Sequence, residues 1–260
     1  MHSCARGRGC RNTRPSTCKS RRAVTDAGRG LSRAIAQQLA LGGVNVALVG
    51  YTARGLETTL ARLGTGARSY RANLTKETDV DELLRQVSTE QGAPEMLVNV
   101  LPMGGESASP WTESVETWWD TVRINLRGAF LTVEPCCQAC SSVDAARSST
   151  SAPSPKSARG ALLTSSGAVN GLTAALAAET LGSGVRAYSL IADFGGSASP
   201  RAQFTDVVAR RIRDLCSEDE PSGRLFALSA DPLLNPNASF PVRPMSNLER
   251  HLGQREVRMH

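Results

Sequence analysis

Short apolar runs alternate with helical stripes from about residue 23 onward. Ala23-Val24-Thr25 reads as a strand leading into the turn Asp26-Ala27-Gly28-Arg29-Gly30, after which Leu31, Ile35 and Leu39 recur every fourth residue, as on one face of an amphipathic helix. Gly42-Gly43 ends that helix, and Val44 to Val49 is a nearly continuous apolar run, the pattern of a strand covered on both faces. Leu56, Leu60 and Leu63 mark a second helix. The unit then repeats, with Ser69 to Leu74 as a third strand, Thr78 to Glu90 as a third helix and Met96 to Val100 as a fourth strand. Val115 to about Cys140 reads as a long helix with a break near Asn125. Further on, Ala161-Leu162-Leu163-Thr164 reads as a strand, Ala168 to Leu181 as a helix and Val185 to Ala192 as a strand. Strands alternating with helices at this spacing predict right-handed crossovers and a doubly wound parallel sheet, an α/β fold in a single domain.

Two stretches break the rhythm. Residues 141–160 are rich in Ser, Ala and Pro and read as a low-complexity loop, long for a compact domain. Residues 233–260 hold Pro236, Pro241 and Pro244 with little periodicity and read as an irregular C-terminal extension. The domain is therefore expected over 23–232, preceded by a basic tail, residues 1–22.

That tail changes the meaning of the net charge of +6. Residues 1–22 hold seven cations, Arg6, Arg8, Arg11, Arg14, Lys19, Arg21 and Arg22, and no acid, which leaves the rest of the chain at about −1. A near-neutral domain gives a nucleic-acid role no support. The tail also lacks the apolar residues of an amphipathic targeting helix and reads as a disordered extension. No run of apolar residues approaches the ~18–20 that span a bilayer. Cys136, Cys137 and Cys140 read as small core residues of a helix, and His2, His251 and His260 sit near the termini, so no metal site is expected. A reducing, cytoplasmic compartment is the expectation, with no membrane partner.

Five phrases, in order, carry a resemblance. Thr25-Asp26-Ala27-Gly28-Arg29-Gly30-Leu31-Ser32 looks like a T-G-x-x-x-G-[IL]-G cofactor turn, and Leu97-Val98-Asn99 like the start of an L-V-N-N-A-G strand. Ile124-Asn125-Leu126-Arg127-Gly128-Ala129-Phe130 is close to an N-L-x-G-x-F helix, Thr164-Ser165-Ser166 to a strand-end serine, and Gly167 to Leu172 to the helix after an active-site lysine. Together they resemble the short-chain dehydrogenase/reductase family across roughly 23–195, which implies a Rossmann-type fold and an NAD(P)-dependent oxidoreductase of a small carbonyl or alcohol substrate. The resemblance implies cofactor contacts at Thr25, Gly28, Arg29, Gly30, Leu31, Thr52, Asn73 and Asn99, and catalytic roles at Asn125 and at Ser165 or Ser166. It also implies NADP, because no acid ends the second strand at Gly50-Tyr51-Thr52, while Arg29 and Arg54 could pair with a 2′-phosphate. Relatives form homo-oligomers through helices corresponding to 115–140 and 168–181.

The departures are as informative. Of three motif glycines only Gly30 is kept. Asp26 brings a carboxylate to the place where an anionic diphosphate should approach, and Ser32 stands where the helix packs on the sheet. Asn73 replaces an aspartate expected near the adenine, and Val100-Leu101-Pro102 replaces N-A-G. Family members use a tyrosine with a lysine four residues on, because a phenol of pKa about 10 needs an adjacent cation to exchange protons near neutrality. Four residues after Tyr51, Tyr70 and Tyr188 stand Gly55, Leu74 and Ala192, so the pair is absent. Aligned on the helix, Leu162 and Ser166 take its two places; aligned on the strand, Ser165 or Ser166 is the substrate-orienting serine and the tyrosine segment is missing.

Three readings stay open: an NADP-preferring reductase by lineage whose catalysis is impaired (a pseudoenzyme), a non-catalytic nucleotide-binding or interaction protein, and a damaged or mis-predicted reading frame.

Overall fold

β1 (Arg21–Val24) enters a turn and then α1 (Gly30–Leu41), followed by β2 (Asn45–Gly50), α2 (Ala53–Leu60), β3 (Ala67–Arg71), α3 (Glu77–Gln91) and β4 (Met96–Val98). The computed structural model describes residues 20–100, 111–133, 151–152, 160–193, 201–215, 222–229 and 238–241. These first four strands are parallel, in the order β3-β2-β1-β4, with Ala23 opposite both Ala47 and Leu97. Then come α4 (Val115–Val122), a π-helical turn (Arg123–Arg127) that continues as helix through 133, β5 (Ser151–Ala152), α5 (Ala161–Glu179), β6 (Tyr188–Asp193), α6 (Arg201–Leu215), β7 (Arg224–Ser229) and β8 (Ala238–Pro241). The second sheet runs β5-β6-β7-β8, parallel except for antiparallel β8.

The period of two along each strand sorts side chains between two layers. Val24, Val46, Leu48, Met96 and Val98 face one layer, where α1 (Ile35, Leu39) and α6 (Phe204, Val208, Ile212, Leu215) close a core shared with Tyr188, Leu190 and Phe226 of the second sheet. The intervening Ala23, Ala47, Val49 and Leu97 face the other layer, covered by Leu83 and Val87 of α3, Val133 and Leu176 of α5. This is a doubly wound α/β architecture, as the alternating pattern predicts.

Several boundaries differ from the sequence reading. Arg21 and Arg22 belong to β1, not to a tail. Both reach the buried Glu95, with Arg21 Nη2 at 3.1 Å and Arg22 Nη1 at 3.5 Å, and Arg21 Nε donates to the Ala93 carbonyl at 2.8 Å. Ala161–Thr164 is the first turn of α5 and not a strand; Ala161, Ser165, Val169 and Thr173 form its buried face. Within the stretch read as a loop, Ser151–Ala152 pair with Leu190–Ile191 of β6. Within the extension read as irregular, Ala238–Pro241 pair with β7. Contrary to the expectation that no segment approaches the length of a membrane span, α5 is long and apolar enough to cross a bilayer by length and composition, with a mean hydropathy of 1.3. The cysteines, the histidines and Leu101-Pro102 lie outside the described residues.

Candidate functional site

At the C-terminal ends of β1 to β4 lies a cleft of about 630 Å³, bounded on its other side by α4 and the π turn. Open parallel sheets bind ligands at this edge, where loops diverge and helix N-termini point inward. The floor is built by the β1–α1 turn. Thr25 Oγ1 accepts from the Val100 amide at 2.9 Å and so ties the end of β1 to that of β4. Behind the turn, Arg33 donates to the Gly28 carbonyl and, through Nε, to Thr59 Oγ1 at 3.0 Å, while Thr59 donates to the Ala27 carbonyl at 2.8 Å. The turn is thus clamped to α2. A Cβ on Gly28 would meet the Gly55 backbone at 3.1 Å, so this glycine serves the packing of the turn on α2 and does not line the cleft.

Two residues of the turn take the left-handed conformation, Gly30 at φ +49° and Asp26 also at φ +49°. For Gly30 this is free; for Asp26 it is a strain that a glycine there would not carry. Asp26 Oδ2 accepts from Arg29 Nε at 3.1 Å. Burial pushes the Asp26 carboxyl above its ordinary pKa, and the charge and hydrogen bond of Arg29 offset this in part. The expected like-charge obstacle is therefore an ion pair at the cleft floor, and it engages the arginine expected to select a 2′-phosphate.

Of the eight residues expected to hold a cofactor, Thr25, Arg29, Asn73 and Asn99 line the cleft. Leu31 does not; it is buried in the core beneath α1. Thr52 is the N-cap of α2 and also lies off the cleft, as does Gly30, which opens α1. No side chain caps the N-terminus of α1, so its first amides are left to water or to a ligand anion. Asn99 is buried, accepts from Thr132 Oγ1 at 3.1 Å, and leaves Nδ2 with no partner among the described residues. Thr25, Arg29 and the buried Asn99 amide along this cleft suit an anionic cofactor; the Asp26 carboxylate does not.

Asn125 sits in the middle of the π turn and is 2% exposed. Its Nδ2 donates to Ser165 Oγ, fully buried on α5, at 2.8 Å, and Ser165 in turn donates to the Leu162 carbonyl at 3.0 Å. Asn125 lines the cleft; Ser165 and Ser166 do not, and neither ends a strand. Leu162 and Ser166 lie one turn apart on α5.

The three tyrosines are elsewhere. Tyr188 is core, 6.1 Å from Phe226 between ring centroids. Tyr70 donates to Glu90 at 3.2 Å; burial and that carboxylate push it up to about 12. Tyr51 lines the cleft, but at the end of β2, two strands from β4, with the Arg71 guanidinium 5.8 Å over its ring. Sequence reasoning missed Arg123, Ile124 and Arg127 as cleft residues. Their spacing around Asn125 was the available signal, and the π turn explains why a regular helix did not reveal it.

Several curated relatives that match carry oxidoreductase names. Among them are an uncharacterized oxidoreductase of Staphylococcus epidermidis, 30% identical over 41% of this chain and 46% of its own length, and the 3-oxoacyl-[acyl-carrier-protein] reductase of the same species, 32% identical over 41% and 45%. D-threitol dehydrogenase of Mycolicibacterium smegmatis is 35% identical over 42% of each chain. The chain spans less than half the length of these relatives. Among solved structures, the 3-ketoacyl-(acyl-carrier-protein) reductase of Brucella melitensis complexed with NADH shares the fold, with a TM-score of 0.71 at 22% identity, covering 81% of this chain and 96% of that one. The model of the family described as short chain dehydrogenase matches residues 22–194. That match spans most of the chain, from β1 through β6: the protein belongs to the short chain dehydrogenase family.

Proposed function

We propose that the protein binds a nicotinamide dinucleotide in this cleft, NADP in preference to NAD, and that it has lost efficient turnover of carbonyl or alcohol substrates. The reading rests on the start of α5: Ser165 holds Asn125 there, and in the helical alignment Leu162 and Ser166 would take the two places of the family's tyrosine and lysine. A phenol tuned toward neutrality by a cation has no counterpart there. Thr25 and Asn99 would hold the cofactor, with Arg29 at its ribose end once released from Asp26. Bound, the nicotinamide supplies hydride chemistry; the chain supplies binding and orientation. The setting in this reading is cytoplasmic, and the near-neutral charge after residue 22 speaks against a nucleic-acid partner. The exposed Val115 and Trp119 of α4 support pairing with a second copy.

Thermal shift of the full chain with NADPH and NADH tests the binding half. Saturable stabilisation, larger with NADPH, is expected. No shift at millimolar concentration of either cofactor would leave the interaction-module and damaged-frame readings.

A further inference from the structure

Among the described residues Asp26 is the one acid that lines the cleft, against three cations, Arg29, Arg123 and Arg127. Its side chain is 29% exposed where that of Arg29 is 63% exposed, so the acid is partly shielded while its partner reaches into water. Asp26 Oδ2 engages Arg29 through Nε alone, and both Nη groups of Arg29 stand without a partner among the described residues. Nε and one Nη form the edge with which a guanidinium takes a phosphate bidentately. Arg29 therefore cannot serve Asp26 and offer that edge to a phosphate at the same time. The other charged groups around the turn do not compete for Asp26. Arg33 of α1 is held by the Gly28 carbonyl and Thr59. Arg54 and Glu57 of α2 do not line the cleft. Tyr51 at the end of β2 lies under the Arg71 guanidinium, and β4 ends in the uncharged Asn99 and Val100. Across the cleft, Arg123 pairs with Asp120. Burial, the larger influence, raises the Asp26 pKa, and Arg29 is the charged group that lowers it.

We propose that Asp26 is a proton-operated gate on this cleft: ionised, it holds Arg29 and repels an incoming phosphate, and on taking up a proton from solvent it releases the guanidinium to that phosphate. The sign follows from the charges. A phosphate beside the turn makes the ionised carboxylate less favourable still, so the Asp26 pKa is higher in the complex than in the free protein. Affinity is therefore greatest below the free value and declines as pH rises through the bound one. The inference rests on the dinucleotide reading above and concerns only how the cleft admits its ligand.

Calorimetric titration of the full chain with oxidised NAD tests it, because this ligand lacks the 2′-phosphate that would itself titrate at about pH 6. The parent is expected to bind about tenfold more tightly at pH 5 than at pH 8. At pH 6 its heat of binding should differ between buffers of high and low ionisation enthalpy in the sense of net proton uptake, a reading made on the parent itself. Asp26→Asn removes the charge, and asparagine is at ease in a left-handed backbone. This variant should bind at both pH values as tightly as the parent does at pH 5, with no proton uptake. Parent affinities equal at the two pH values, or a pH dependence that persists in Asp26→Asn, would overturn the inference while leaving the dinucleotide reading intact. Binding of neither oxidised NAD nor oxidised NADP at millimolar concentration, by parent or variant at either pH, would overturn that reading and the gate with it.

Discussion

Asn125 of the π turn donates to Ser165 of α5 at 2.8 Å, joining two buried residues forty positions apart. This bond couples the wall of the cleft to the helix that carries Leu162 and Ser166. Removing one partner leaves a buried amide donor unpaired, which costs more than the bond itself is worth. Ser165→Ala is therefore expected to destabilise the protein by about 1–3 kcal/mol, measured by urea denaturation at neutral pH. A change within the error of the midpoint would mean that water replaces the serine.

Asp26 carries two penalties, a left-handed backbone and a carboxylate whose pKa burial raises. A raised carboxyl pKa means that the folded state binds its proton more tightly than the unfolded chain does. The stability from this is fully present below the unfolded pKa and is lost as pH rises through the folded one. Asp26→Asn should therefore stabilise relative to the parent at pH 8, with the advantage fading toward pH 4. Asp26→Gly should add about 1 kcal/mol by removing the strained φ. Because Arg29 loses only a half-exposed ion pair, little is lost in exchange. Melting curves of parent and both variants at the two pH values check the sign, and the same variants should raise NADPH affinity.

Tyr70 moves away from neutrality, up to about 12, through burial and the Glu90 carboxylate. Ultraviolet titration of the phenolates should show this group ionising only near or above that value, and Tyr70→Phe should remove the late step. The sign follows the same rule: the contribution of Tyr70 to stability is present below pH 10 and disappears as pH passes the folded value. A tyrosine titrating near pH 7 would instead reveal a proton donor.

The first half of the fold is legible because its strands are apolar and its helices striped. Leu31, Ile35 and Leu39 face the core, and Val44 to Val49 reads as a strand that the structure places at Asn45–Gly50. The second half resists for physical reasons. Ala161 to Thr164 is a short apolar run, and such a run begins a buried helix as readily as it makes a strand. Arg201–Leu215 does carry a stripe, Phe204, Val208, Ile212 and Leu215, which contacts α1, but it follows a segment without pattern and went unread. β8 includes Pro241, admissible where it pairs antiparallel with β7 and easily taken for a loop residue. At the site, the glycine turn and Asn125 were legible from local phrases. The Asp26–Arg29 pair, the Arg33 clamp on Gly28 and the Asn125–Ser165 bond depend on side-chain directions and on contacts across the chain, which spacing does not reveal.

The central proposal is that Leu162 and Ser166 stand where the family has its tyrosine and lysine, and steady-state oxidation of NADPH tests it most directly. With the full chain, saturating cofactor and a panel of ketones and quinones, the rate should not exceed that of the protein-free control. Turnover within roughly a hundredfold of ordinary family members would contradict it.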